Sequence, residues 1–328
     1  MKMHTDTLVL FAGLSLMAAC AVEEEGEELE FRDTIGCNCG LGNSNSAHVN
    51  LFPIDHLSLG GEANSAGVVL QGVQPPNGKK IYQLRTIGDE LSAWDPDLGT
   101  VATGAALVGW TIKLYETGHG DELEVHILGY DPAIALEYDP GNTISGYAFG
   151  YIDPETPSEI YSVCPASYAY ADAIAATVIR GELFYDNGAV VVNNEWITIA
   201  CFGNAVAKTK LFGYGPQQHV PGTQSPATPG EQTATIRMIT ADYCGDGTSF
   251  TVDGTPLDWK NASGGVSPTG NTSFANLEAL WTKGGAICIK EPRLYSVEEV
   301  QHHCDVPVCT LQDYLTADYD WVTWQLDK

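Results

Sequence analysis

Nine cysteines in 328 residues constrain this chain more than any other feature. The first, Cys20, follows directly on an uncharged apolar run from Leu8 to Ala19. Those 12 residues are too few to cross a bilayer, which takes about 20 in a helix. With Lys2 ahead of them they match the apolar core of a secretory signal. Leu16-Met17-Ala18-Ala19-Cys20 resembles the bacterial lipobox, in which small residues precede a cysteine that is lipidated and becomes the mature N-terminus. Ala21 follows the cysteine, and by resemblance to the lipoprotein sorting pattern a residue other than Asp there favours the outer membrane. The expectation is a signal peptide over 1–19, lipidation at Cys20, and a membrane partner reached through that lipid.

The other eight cysteines are Cys37, Cys39, Cys164, Cys201, Cys244, Cys288, Cys304 and Cys309. An even number in an exported chain implies disulfides, because oxidising compartments favour them. Spacing alone does not give the connectivity. Cys304 and Cys309 are close enough to close a small local loop, and the pairing of Cys37 and Cys39 stays open. His302-His303-Cys304 with Cys309 lacks the clustered spacing of a structural zinc site, so no metal is expected there.

Charge narrows the partners. Forty-two acids against 15 Lys and Arg give a net charge of −27. Such a chain repels phosphates, which disfavours nucleic acid and anionic lipid as binding targets. Seven acids between residues 21 and 33 face only Arg32, and like charges extend such a segment. With the Gly-, Asn- and Ser-rich stretch that follows, residues 20–50 read as a tether. At 44% hydrophobic residues, the rest has enough apolar material for a core.

From about Gly67 to Cys164 short apolar runs alternate with turn residues, as in Leu107 to Ile112 and Leu123 to Ile127. This spacing predicts a sandwich or barrel-like sheet and no helix of ordinary length. Further strands are predicted over 177–201, with a hairpin turn at Asp186-Asn187-Gly188. A helix from Asn204 to Phe212 stops at Gly213, and a loop follows over 214–232. Thr233 to Cys244 reads as a helix ended by Gly245, then a strand pair around 250–257 and a helix over 273–281. A Gly284-Gly285 turn and a strand over 286–289 come next, and Ser296 with Glu299 makes a capping box for a last helix to His303. Tyr314, Tyr319, Trp321 and Trp324 fit either a packed terminal strand or an exposed carbohydrate-stacking or partner face. The fold class expected is α+β: a β-rich N-terminal sheet domain over 51–163, a mixed disulfide-stapled α+β domain over 164–310, and a C-terminal tail over 311–328.

One run gathers these features. Ala241-Asp242-Tyr243-Cys244-Gly245-Asp246-Gly247 is preceded by Ile199-Ala200-Cys201, Ala205 to Lys208 and Arg237-Met238. It is followed by Gly254 to Asp258 and Trp281 to Cys288. These ordered blocks resemble the ADYC domain of exported bacterial proteins, myxobacterial-type lipoproteins among them, over most of residues 65–310. Where that family usually carries two further cysteines, this chain has Thr209 and Thr235; where it usually has His, this chain has Gln232. The joint loss implies that those two pair in relatives and leaves six cysteines to pair among themselves. The resemblance then implies Cys164–Cys201, Cys244–Cys288 and Cys304–Cys309. It implies an architecture and no reaction.

The chemistry is sparse. Asp242, Asp246, Gly247 and Asp253 partly follow a calcium-loop spacing, but Cys244 stands where a ligand is needed. There is no Gly-x-Ser-x-Gly elbow and no phosphate loop, so no cofactor is expected. The reading is an exported, lipid-anchored outer-membrane protein acting as a non-catalytic binding or structural module for an envelope or extracellular ligand. The alternative is a secreted hydrolase drawing on Arg237, Asp242, Asp246 and His219.

Overall fold

Alternating burial builds most of the chain into antiparallel strands. In the computed structural model, residues 47–164, 173–252, 255–270 and 272–326 are described. The leader, Cys20, Cys37, Cys39, the tether as far as residue 46, and Asp253 lie outside them. The described residues form one compact unit. Strand β8 (Thr111–Glu116) shows the pattern plainly, since every second side chain is buried.

A short hairpin, β1 (His48–Val49) with β2 (Phe52–Pro53), opens the described chain. The main sheet then runs in the order β3 (His56–Ser58), β13 (Val190–Cys201), β12 (Ala176–Phe184), β10 (Thr143–Tyr151), β9 (Glu122–Ala135), β8 and β4 (Val68–Gln74). Strand β11 (Tyr161–Ser162) shares an edge of β10 with β12. Asn64 links the two outer strands. Its Nδ2 donates to the carbonyls of Pro53 and His56, and its Oδ1 accepts from the N–H groups of Ala66 and Val68. One side chain thus satisfies backbone groups that an open sheet edge would leave unpaired.

A small sheet of β5 (Gln83–Ile87), β6 (Glu90–Asp95) and β7 (Gly99–Thr103) covers this core, adding Leu84, Leu91 and Ala93 to it. The hydroxyl of buried Tyr147 accepts from the N–H of Leu91 at 2.7 Å. The main sheet takes strands from both sides of residue 163, with β12 and β13 after it.

The remaining part is a four-stranded antiparallel sheet in the order β14 (Leu257–Asn261), β17 (Trp321–Gln325), β15 (Leu277–Thr282), β16 (Gly285–Ile289). Helix α2 (Pro229–Thr240) lies between the two sheets. Ile236 faces the β12–β13 side, with α1 (Ala205–Thr209), while Ala234 and Met238 face β15 and β17. Helices α3 (Val297–His303) and α4 (Leu311–Thr316) complete the chain. No helix among the described residues is long and apolar enough to cross a membrane.

Local signals place several elements where the sequence puts them. Asn204 caps α1, Ser296 and Glu299 cap α3, and the 186–188 turn joins β12 to β13. Other elements differ. Helix α2 starts earlier than expected, because Thr228 and Glu231 form a capping box with Pro229 in the first turn. It ends at Ala241, which takes a left-handed conformation, and not at Gly245. The loop read as 214–232 therefore surrenders its last residues to the helix. Among the described residues of 250–257 there is no strand pair, and β14 begins at Leu257.

The helix expected over 273–281 shrinks to one 3-10 turn, Phe274–Asn276, and the rest is strand β15. Leu277 and Leu280 pack on the α4 side, while Ala279 and Trp281 pack toward α2. Burial on both faces overrides helical propensity. Residues 311–328 supply α4 and β17, whose Trp321 and Trp324 are buried within the sheet and form no exposed aromatic face.

Candidate functional site

Among the described residues there are three disulfides: Cys164–Cys201, Cys244–Cys304 and Cys288–Cys309. The first matches expectation and locks Cys201, the last residue of β13, to Cys164, two residues past the end of β11. The other two correct it. Cys304 ends α3, which lies against the turn after α2 and so meets Cys244. The chain then runs along β16, where the N–H of Ile289 donates to Pro307 and the N–H of Cys309 donates to Ile289. That parallel bridge carries Cys309 away from Cys304 and onto Cys288. Both sulfurs of the His-Cys segment are thereby engaged. Such bridges belong to an oxidising, non-cytoplasmic compartment.

The turn that follows α2 is the densest polar site. Arg237 sits in the last turn of α2, and its guanidinium donates to three loop carbonyls. These are Gly245 at 2.7 Å, Asn187 at 3.2 Å and Lys283. One side chain thus ties together the turn after α2, the β12–β13 hairpin and the β15–β16 hairpin. Asp242, fully buried, pairs with Arg237 Nε at 3.5 Å and accepts from the N–H groups of Asp246 and Gly247 at 3.1 and 3.0 Å. Burial pushes the Asp242 carboxyl up and the Arg237 guanidinium down, and their mutual attraction opposes both shifts. Gly245 has φ +71°, and a Cβ there would strike the carbonyl of Gly284, so the turn requires glycine.

Tyr243 extends the network inward. Its hydroxyl donates to Glu278 at 2.7 Å and accepts from the N–H of Arg293 at 3.0 Å. Arg293 Nε donates to the same Glu278 oxygen at 2.7 Å. Its other nitrogens donate to the carbonyls of Ile239 and Met238, closing the C-terminus of α2 with a cation. Outside this core, Asp246 Oδ2 lies within hydrogen-bond distance of His303 Nε2, at 2.9 Å. Burial raises the Asp246 carboxyl, but the N–H of Thr248 and His303 outweigh it and hold it low.

Of the four residues expected to cluster, Arg237, Asp242 and Asp246 come together. His219 does not. It lies in the 215–228 loop, where it pairs through its backbone with Pro226. The histidine that reaches the turn is His303. A cleft of about 540 Å³ exists elsewhere, lined by Asn50, Leu51, Tyr151, Asp153, Pro154 and Glu155, and none of the four lines it.

A family model for the ADYC domain matches residues 104–295, more than half of the chain. The chain belongs to the ADYC domain family. No curated protein and no solved structure matches it. The ADYC turn therefore has a physical description: a left-handed helix cap at Ala241, a buried acid, a buried phenol and a disulfide staple.

The ADYC domain also holds a second buried polar group. Lys210 Nζ has three acceptors: Asp89 at 3.2 Å, Thr177 Oγ1 at 2.9 Å and the Val178 carbonyl at 2.8 Å. Burial lowers its pKa to about 8 although Asp89 opposes the shift. Nearby, Glu182 takes both oxygens to Gln232 Nε2 at 2.8 and 3.0 Å, and burial raises it to about 7. Sequence reasoning missed Glu182, Lys210, Glu278 and Arg293. The one available signal was a charge placed inside an apolar run, as with Glu182 before Leu183-Phe184.

Proposed function

We infer that this ADYC protein is an exported surface protein, held to the outer membrane by lipid on Cys20, and that it serves as a non-catalytic binding or structural module of the envelope. The observation that carries the reading is the engagement of the ADYC turn's own chemistry. Arg237 holds loop carbonyls, Asp242 holds backbone N–H groups, Tyr243 sits on Glu278, and Cys244 is bridged. Groups that carry the fold in this way are unavailable to a substrate. The apolar run ending at Cys20 supports the anchor, and the acidic tether supports a stand-off from the bilayer.

The hydrolase alternative draws on Arg237, Asp242, Asp246 and His219; with Arg237 and Asp242 engaged and His219 elsewhere, it would have to turn to Asp246, His303 and Thr248 at the surface. There one nitrogen, His303 Nε2, faces both Asp246 and Thr248 Oγ1, at 2.9 and 3.1 Å. A proton relay needs its two partners on different ring nitrogens. The test is twofold. Globomycin, which blocks lipoprotein signal cleavage, should cause the uncleaved precursor to accumulate. Purified protein should turn over no ester, peptide or glycan library substrate. Turnover lost in His303→Ala would reject the non-catalytic reading.

A further inference from the structure

The four residues after β8 make a tight tip, Thr117-Gly118-His119-Gly120, before Asp121 and β9. Glu116, the last residue of β8, is nearly fully buried. Its Oε1 accepts from the N–H of Gly118 at 2.6 Å, and its Oε2 accepts from the N–H of His119 at 2.6 Å. His119 Nδ1 lies 3.1 Å from the same Oε2, and its ring is open to solvent. Asp121 brings a third donor, so that one ligand atom from each of the three residues lies within 4.8 Å of the others.

Two features point to a cation. First, a buried carboxylate is normally paired with a cation or bound to a metal. Glu116 has no ion pair with Lys or Arg among the described residues, and no Lys or Arg occurs from Leu114 to Ile134. Its one ionisable partner is His119. Second, an oxygen and an imidazole nitrogen about 3 Å apart have the separation of two ligands sharing one ion at about 2.1 Å from each. Gly118 and Gly120 keep the tip narrow: Gly120 has φ +84°, and a Cβ on Gly118 would come within 2.7 Å of Glu116 Oε1.

We propose that the tip of the β8–β9 hairpin is a divalent transition-metal site, with Glu116, His119 and Asp121 as its protein ligands. One imidazole nitrogen with two carboxylates suits zinc-class ions better than calcium, which prefers an all-oxygen set. Water completes the shell, because the tip is exposed. The ion takes the place of the hydrogen bond between His119 Nδ1 and Glu116 Oε2.

The test is calorimetric titration of the disulfide-intact, chelator-stripped protein with zinc chloride, and separately with calcium chloride. The expected result is one zinc ion per chain and no calcium uptake at this site. His119→Ala should weaken zinc binding by at least the roughly 10-fold that even loss of an outer partner costs a metal site. Asp121→Asn should weaken it in the same direction, and His303→Ala should leave it unchanged. His119 and Asp121 are exposed, so these variants keep the fold, and a thermal melt verifies this. Absence of zinc uptake, wild-type affinity in His119→Ala, or loss of binding in His303→Ala instead would overturn the proposal.

Discussion

Glu182→Gln should flatten the pH dependence of this protein's stability between pH 4.5 and 7.5. Glu182 is buried against α2, and its carboxyl is raised from 4.5 to about 7. The folded protein therefore holds this proton more tightly than the unfolded chain does. Stability from this group is full below pH 4.5 and is lost as pH rises through 7. At about 1.36 kcal/mol per pH unit, ionising Glu182 in the fold costs about 3 kcal/mol more than in the unfolded chain. For a chain of this size that corresponds to a fall in Tm of about 4–5 °C. Lys210 acts with the opposite sign in a higher window. Its pKa is lowered from 10.5 to about 8, so its contribution changes above pH 8 and leaves the chosen range clear. The Gln side chain keeps a carbonyl oxygen to accept from Gln232 Nε2 but cannot ionise. Differential scanning fluorimetry of both proteins across the range is the assay. Equal slopes for wild type and variant would refute the assignment of this pH dependence to Glu182.

Two further outcomes follow from the same structure. Peptide mapping without reduction should recover linked peptides joining Cys244 to Cys304 and Cys288 to Cys309; a peptide joining Cys244 to Cys288 would contradict the arrangement of α3 beside the ADYC turn. Arg293→Met should lower the free energy of unfolding by roughly 3–5 kcal/mol, since it strands the buried Glu278 carboxylate and uncaps α2. A loss in urea titration below about 1 kcal/mol would place Arg293 outside the network, at the level of a surface ion pair.

What was legible in the sequence is what short-range physics decides. The caps at Asn204 and Ser296 bond to backbone within three residues, so their signatures survive without tertiary information. The 186–188 turn carries its own glycine at φ +76°. The ADYC blocks gave the family because they are ordered motifs and not a matter of packing. What failed depended on distant partners. Leu277 to Thr282 has a helix-forming composition, but α2 and the α4 layer bury both its faces and hold it extended. Cys304 lies five residues from Cys309 in sequence, yet the Ile289–Val308 bridge decides the partner. His219 lies near the turn in sequence and His303 does not, and the fold brings in the second. Thr235 shows the same limit. Its hydroxyl accepts from Trp321 Nε1 at 2.9 Å, a contact across 86 residues that no local pattern reveals.

The central claim is that an acidic, disulfide-stapled body is attached to a membrane by lipid and not by charge. Its most direct test is metabolic labelling with radioactive palmitate in a bacterial host, comparing the wild-type chain with Cys20→Ala. The account predicts label on the wild type that fractionates with the outer membrane, and no label on the variant, which remains as unanchored precursor. A wild-type protein that is cleaved normally and carries no label would contradict it.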